Sequence, residues 1–412
     1  MIDKQNVIVL PLIINLSKLK PDRMFFTELF QVIIASTIAF IVSVAVIPSI
    51  LKVAREKKLF DPPDERKVHT ASIPPLGGIA IFIAFNLSVI FSMQSLTDYS
   101  IRYLVGAVII MFFLGLKDDL INISARKKFL VQGIAVFILF FFGEQSISNL
   151  HGFMGLYEIP LPLSGFITFF VMLSIINAFN LIDGIDGLAS GLAILASCTL
   201  GTWFLIAGHS EYSILAFALA GSLVGFFLFN VFGNRNKLFL GDTGSLVVGI
   251  IIAALIVRFN EFNINKSVIH SINAAPSLSF AIVMVPLIDT LRVMTIRILS
   301  GRSPFSPDKN HIHHKLLQLY PSHLTVTLIM LSFNIIMISL AFILNKYMPS
   351  VTLQFMIIFT LSIFMSFLPS YMVKWLHVNQ IQKEITQNRI NYNFKNLESN
   401  QISSRKKMPQ NV

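Results

Sequence analysis

The stretch NAFNLIDGIDGLASG, residues 177–191, sets Asn177, Asn180, Asp183 and Asp186 between two apolar runs. Asn177, Asn180 and Asp183 recur at a spacing of three, roughly one face of a helix. Carboxylate and amide oxygens grouped this way suit Mg²⁺, a hard cation that keeps several waters and shares phosphate oxygens. Gly184 and Gly187 interrupt the helix and let backbone approach a ligand. A carboxylate in hydrocarbon costs roughly 2.5–3.5 kcal/mol on insertion scales. A hydrated cleft, in which a cation and phosphates offset the aspartate charges, makes that cost tolerable. An interhelical hydrogen-bond patch would need fewer polar groups than these four.

Four further segments hold the other unusual polar residues. GLKDDLINISARKK carries adjacent Asp118 and Asp119, which cannot both ionise cheaply unless a cation is near. A divalent metal, or the cluster Arg126, Lys127 and Lys128, would supply one. FLGDTGS places Asp242, Thr243 and Ser245 where a helix opens, a pattern that reads both as an N-cap and as a phosphate site. SPFSPDKNHIHHKL brings His311, His313 and His314 beside Lys309 and Arg302. Zinc needs well-placed nitrogen or sulfur ligands and no cysteine accompanies these histidines, so donors to phosphate oxygens fit better. FDPPDERKVHTASIPPLGG adds Lys67 and His69. An acidic metal centre ringed by basic phosphate donors is how phosphoryl-transfer sites work, by positioning and charge neutralisation.

The elements that must position these residues are membrane helices. Of 412 residues, 54% are hydrophobic and 13% charged, with mean hydropathy +0.73. Soluble domains carry about 25% charged residues. A spanning helix needs ~20 mainly apolar residues. Eleven segments qualify, near 28–51, 76–93, 101–116, 129–143, 161–182, 187–208, 212–232, 242–258, 276–295, 323–344 and 351–372. The expected fold is therefore all-α and polytopic, with about eleven transmembrane helices spanning 28–372. Residues 1–27 form an N-terminal segment that reads as interfacial, too short to span and without a signal-peptide cleavage site. Residues 373–412 read as a basic, polar tail with a helical start and then disorder.

Charge sets the orientation. The loops 52–75, 117–128, 233–241 and 296–322 are rich in Lys and Arg, whereas 94–100, 144–160 and 209–211 contain none. The basic side is expected to be cytoplasmic, with the N-terminus outside, although Lys4, Lys18, Lys20 and Arg23 oppose that vote. All five polar motifs fall on the basic side. The net charge of +11 follows from these loops and from the tail, not from a nucleic-acid surface. The single cysteine, Cys198, lies in an apolar run and reads as a small buried hydrophobe.

These five motifs, in this order, resemble those of the polyprenyl-phosphate N-acetylhexosamine-1-phosphate transferases, glycosyltransferase family 4. The likeness covers roughly 28–372. It implies eleven membrane helices and transfer of a sugar-1-phosphate from a UDP-sugar to a polyprenyl phosphate, with release of UMP and use of Mg²⁺, for which Mn²⁺ would substitute. It implies undecaprenyl phosphate as acceptor and the bacterial inner membrane as location, and is compatible with a homodimer. It further implies that Asp118 and Asp119 are the essential pair, with Asp118 as base toward the lipid phosphate, and that Asp183 and Asp186 are catalytic. Asn180 and Asp242 would be the metal ligands. Lys128 would hold diphosphate oxygens, Phe239 would stack on uracil, and His311, His313 and His314 would support the sugar-phosphate end. Lys67, His69 and Asn177 complete the substrate-binding set. Asn122 departs from members with a third acidic residue after the pair, so position 122 is not expected to be an obligatory ligand.

Within the resemblance, members that use UDP-MurNAc-pentapeptide share three successive histidines after a proline. Here Ile312 splits the histidines, as in the branch using UDP-GlcNAc or another UDP-N-acetylhexosamine. The expected product is undecaprenyl-diphospho-GlcNAc, initiating a surface polysaccharide such as O-antigen. From another class, an ion-coupled transporter would also need intramembrane carboxylates, but reachable from both faces rather than clustered on one.

Overall fold

The computed structural model describes residues 23–59, 73–93, 99–266, 270–303 and 310–405. It is helical almost throughout. The helices are α1 (Arg23–Glu56), α2 (Gly77–Ser92), α3 (Tyr99–Leu120), α4 (Ala125–Phe141), α5 (Leu161–Ile182), α6 (Leu188–Ile206), α7 (Ser210–Phe232), α8 (Gly241–Phe262), α9 (Ala275–Leu299), α10 (Ile312–Leu319), α11 (His323–Tyr347) and α12 (Val351–Arg405). Each of the eleven expected spans coincides with one of them; α10 is an additional short helix in the last basic loop. Among the described residues nine helices are long and apolar enough to cross a membrane. The other two expected spans are shorter, α2 with 16 residues and α4 with 17. The chain is a multi-pass membrane protein.

Two stretches differ from the sequence expectation. The loop 144–160 holds an antiparallel hairpin, β1 (Asn149–Phe153) and β2 (Leu156–Glu158), which the sequence did not suggest. Its two-residue turn, Met154–Gly155, takes positive φ at both positions, the twist that suits a tight hairpin. The last helix does not end near 372 but runs on to Arg405, since no Gly or Pro interrupts the chain after Pro369 until Pro409.

α8 is the central post. Its side chains from Thr243 to Val257 are buried all round, so it is apolar on every face rather than amphipathic. Its N-terminal end is gripped by two glycines. A Cβ on Gly78 of α2 would lie 2.1 Å from the Gly244 nitrogen, and one on Gly115 of α3 would lie 2.4 Å from the Thr243 Cα. Glycine at these crossings lets backbones meet, and so brings the end of α3 onto the start of α8.

α9 is kinked at Val283 (φ −112°, ψ 17°), three residues before Pro286. Proline removes the N–H that would have bonded the carbonyl four residues earlier. That carbonyl, on Ile282, instead accepts from the Asn334 Nδ2 of α11 at 3.1 Å. The kink thus has its partner, and the half-helix beyond it carries Asp289 toward the short helix α10.

Candidate functional site

The first turn of α8 has backbone N–H groups with no partner inside the helix. Leu240, at its N-cap, provides no side-chain cap. Asp119, at the end of α3, provides it from a distance. Its carboxylate accepts from the Asp242 N–H at 2.7 Å, the Thr243 N–H at 2.9 Å and the Thr243 hydroxyl at 2.5 Å. By sequence Asp242, Thr243 and Ser245 themselves look like the cap region; the capping group lies more than a hundred residues upstream. Asp119 thereby fixes where Asp242 points.

Lys128, one turn into α4, joins three of the expected residues. Its ammonium lies 2.9 Å from Asp118 Oδ2 and 2.5 Å from Asp242 Oδ1, and donates to Asn180 Oδ1 at 3.2 Å. Asp118 also accepts from the Ile123 N–H at 2.7 Å, which closes the turn between α3 and α4. The Asn180 amide donates to Asp242 and, at 2.9 Å, to the Ser245 hydroxyl. Asp183 follows at the end of α5. Withdrawal from water pushes its carboxyl up to about 8, and the charges of Asp242, Asp119 and Asp186 act in the same direction, against a backbone hydrogen bond from Gly241.

Asp186 faces a different set of groups. Lys237 Nζ and His323 Nδ1 both lie 2.6 Å from its Oδ2. Burial alone would raise this carboxyl, but the His323 and Lys237 partners outweigh it and hold Asp186 below the usual carboxylate range. Its own carbonyl accepts from the Thr327 hydroxyl at 3.0 Å. Asp186 therefore ties the α5–α6 turn to the loop before α8 and to α11.

The histidine motif closes onto the same turn. A Cβ on Gly184 would lie 2.3 Å from His313 Nε2, so the ring occupies the space a side chain would need. His313 is buried, and that burial holds its imidazole down to about 3, neutral at any physiological pH. His311 Nδ1 lies 2.8 Å from the buried carboxylate of Asp289, whose other oxygen accepts from the Ile312 N–H at 2.7 Å. The His314 ring centroid is 4.3 Å from that of His313.

Phe239 is set by backbone pairing. Its N–H donates to Pro74 at 3.0 Å, and its carbonyl accepts from Gly77 at 2.9 Å. The half-buried ring lies with its centroid 5.9 Å from Lys237 Nζ. Asn177 stands apart from the carboxylates: its amide donates to Gln132 Oε1 and to the Leu173 carbonyl, both at 2.8 Å. Lys67 and His69 lie outside the described residues.

The donor set has the oxygen chemistry a divalent cation takes, whereas the described group whose ligand atoms already lie within 4.8 Å of one another is Asp289, His311 and His313. Asp118, Asp119, Asp183 and Asp242 converge with the Asn180 amide, and Lys128 is the one cation described among them. Apart from the Lys128 ammonium, the named groups offer hard oxygen and no sulfur, the donor type that suits Mg²⁺ or Mn²⁺. The Asp183 carboxyl, raised first by burial, is raised further by these neighbouring carboxylates.

Lys237, His323 and Asp289 were not singled out from the sequence. Asp289 left a signal, a lone carboxylate in the apolar run VPLIDTLRV, and such a residue is by default a candidate for function. Lys237 stands two residues before the FLGDTGS motif, in the basic loop 233–241. His323 left none, since its partner lies 137 residues away.

The model of the family described as glycosyl transferase family 4 matches residues 101–260, which hold the carboxylates of α3, α5 and α8 but not the histidine motif. The chain is 32% identical over 276 residues to the undecaprenyl-phosphate alpha-N-acetylglucosaminyl 1-phosphate transferase of Escherichia coli (strain K12), covering 65% of this chain and 71% of that protein. It is 30% identical to the protein of the same name from Yersinia pestis, over 68% of this chain and 75% of that one. A Bacillus subtilis (strain 168) protein named probable undecaprenyl-phosphate N-acetylglucosaminyl 1-phosphate transferase is 31% identical over 347 residues, covering 82% of this chain and 91% of its own length.

Proposed function

This chain belongs to glycosyl transferase family 4, membrane transferases that place a sugar-1-phosphate on a polyprenyl phosphate, and we propose that here the sugar is GlcNAc, the donor UDP-GlcNAc and the acceptor undecaprenyl phosphate. The observation that carries this reading is the junction at Lys128, where Asp118, Asp242 and Asn180 meet at the mouth of the bundle. An oxygen of the lipid phosphate attacks the sugar-bearing phosphorus of the donor. The bond from that phosphorus to the oxygen bridging the two phosphates breaks, and UMP leaves with it. Asn180 and Asp242 would hold Mg²⁺ with the neighbouring carboxylates; when bound, it neutralises charge on the diphosphate and favours departure of UMP.

The chain's own groups do the rest. Asp118 would receive any proton remaining on the lipid phosphate. Asp119 positions Asp242 through the α8 cap. Lys128 exchanges its carboxylate partners for diphosphate oxygens as the donor enters. Phe239 offers a ring face to uracil beside Lys237. The histidines stand on the far side of the Gly184 turn, where the sugar would lie.

The names of the relatives favour GlcNAc, and the split histidine motif agrees with them. Purified protein with undecaprenyl phosphate, Mg²⁺ and a panel of UDP-sugars should yield UMP and undecaprenyl-diphospho-GlcNAc by mass spectrometry. Product from UDP-MurNAc-pentapeptide with UDP-GlcNAc inert would overturn the donor and keep the family. The site is read as cytoplasmic in the bacterial inner membrane. Cysteines introduced at Ser124 and Ser403 should then be labelled only from the cytoplasmic side, and one at Ser148 only from outside.

A further inference from the structure

Among the described residues a cavity of about 290 Å³ opens between the ends of α1 and α7, at the end of the bundle that carries the carboxylates. Pro48, Leu51, Lys52, Arg55 and Glu56 of α1 line it, together with Phe229 of α7 and Asn236. Its depth follows from α1. That helix has 34 residues, about 51 Å at 1.5 Å per residue, well beyond a hydrocarbon core of ~30 Å. No charged residue occurs from Leu29 to Leu51, and Lys52 is the first. Along α1 the apolar lining residues Pro48 and Leu51 therefore fall at the hydrocarbon edge, and Lys52, Arg55 and Glu56 beyond it at the headgroup layer. Leu228 and Phe232 of α7 and Val53 of α1 are exposed alongside it, as on a lipid-facing surface.

Arg55 is held ready. Its Nη2 donates to the Arg235 carbonyl at 2.7 Å and to Asn236 Oδ1 at 2.9 Å. A guanidinium has five N–H donors in a planar fork, so two bonds fix its plane without exhausting it. Lys52 and Arg55 against Glu56 leave one positive charge in excess, the complement of a singly charged phosphodiester.

We propose that this cavity binds the headgroup phosphate of an anionic phospholipid, with Lys52 and Arg55 on the phosphate and Pro48, Leu51 and Phe229 against the first acyl carbons. Basic pockets between membrane helices at the headgroup level recognise anionic lipids in this way. A choline headgroup would bring its own cation among Lys52 and Arg55. The position also links the bilayer to the chemistry. Arg55 braces residues 235 and 236, next to Lys237, which holds Asp186. An anionic lipid on Arg55 would stiffen the loop that leads into α8.

The test uses the full chain in mild detergent, with phosphatidylglycerol and phosphatidylcholine added at equal concentration and retained lipid counted by native mass spectrometry. Wild type should retain phosphatidylglycerol in preference to phosphatidylcholine, and excess inorganic phosphate should not displace it. Lys52→Glu, which leaves the Arg55 bonds intact, should weaken that retention roughly tenfold, as expected for reversing a charge at the membrane surface. Lys57→Ala/Lys58→Ala, with the same change in net charge outside the cavity lining, should retain the lipid. Equal retention by wild type and Lys52→Glu would overturn the site, as would equal retention of phosphatidylcholine. Complete displacement by inorganic phosphate would reduce it to a site for the free ion and overturn the lipid assignment.

Discussion

Asp289 holds His311 through Nδ1 at 2.8 Å, with both groups buried and the second carboxylate oxygen on the Ile312 N–H. An ionised carboxylate only accepts, so Nδ1 carries the proton and Nε2 is the nitrogen left for other partners. The pairing joins kinked α9 to the start of α10 and fixes the plane of the ring. It makes Asp289 a positioning residue for the histidine motif. Asp289→Asn can present its amide N–H to the ring and reverse that choice. If His311 serves the reaction, turnover should fall on the order of 10- to 100-fold, the cost known for removing the carboxylate that orients a metal-ligating histidine. Donor KM should move less than kcat, and Asp289→Glu should recover part of the loss. Unchanged kcat in Asp289→Asn would remove the role.

Asp118 and Asp119 adjoin in sequence but have different partners, and variants should separate them. Asp119→Ala orphans the first N–H groups of α8, so the thermal midpoint should drop by the equivalent of roughly 0.5–2 kcal/mol, the cost of a lost cap. Thr243→Val, which removes one of the three donors, should lower it less. Asp118→Asn should instead reduce turnover by roughly 10²–10⁴, the contribution of a general base. Near-wild-type turnover in Asp118→Asn would show that this residue is not the base.

Gly184 and His313 occupy one space. A methyl at position 184 must push the ring, and His313 is buried with 1% exposure, so there is little room for it to yield. Gly184→Ala should cost roughly 1–3 kcal/mol in stability, as overpacking does, and lower turnover through the displaced motif. Gly155→Ala meets no neighbour, but its φ of +79° is strained for alanine, so it should lower stability alone. Equal turnover in Gly184→Ala and wild type would separate the histidines from the chemistry.

The helices were legible because a membrane span writes itself as a long apolar run, and each expected run is a helix. The hairpin was not, because its turn Met154–Gly155 lacks the Asn-Gly or Asp-Gly signature that marks such turns. Within the site, residue types were legible and partners were not. The motif around Asp242 looked like a self-contained cap, yet its cap is Asp119. Asp186 looked like a twin of Asp183, yet Lys237 and His323 neutralise the first and burial among carboxylates raises the second. Such pairings depend on which helices cross, and crossings are set by contacts such as Gly78 and Gly115 on α8 that local sequence does not announce.

The raised Asp183 carboxyl has a sign that can be checked. Without a cation, the folded chain keeps this proton up to about pH 8, whereas the unfolded chain loses it near 3.8. Stability of the cation-free protein from this group therefore falls as pH rises between those values and is level outside them. A cation needs the ionised form, so its apparent affinity should rise about tenfold per pH unit up to about 8 and then flatten. Mn²⁺ titration followed by electron paramagnetic resonance reads this directly. Asp183→Asn should remove the slope; the same slope in that variant would assign it to another group.

On the proposed reading, Lys128 and a divalent cation would compete for the same oxygens. The ammonium lies 2.9 Å from Asp118 and 2.5 Å from Asp242, and its side chain is only 15% exposed, so little water screens it. Removing that charge leaves the carboxylates uncompensated. Lys128→Gln should therefore bind Mn²⁺ more tightly than wild type, because the cation no longer displaces an ammonium and meets more negative charge. Turnover should move the opposite way and fall, because the ammonium that would hold the diphosphate is gone. Lys128→Arg should restore the charge but not the fit, since a planar fork cannot replace a point charge among three acceptors from different helices. A merely structural lysine would lower metal affinity and turnover together. Tighter Mn²⁺ binding with slower turnover is the pattern that identifies Lys128 as a group that yields its carboxylates to the metal and takes up phosphate oxygens in return.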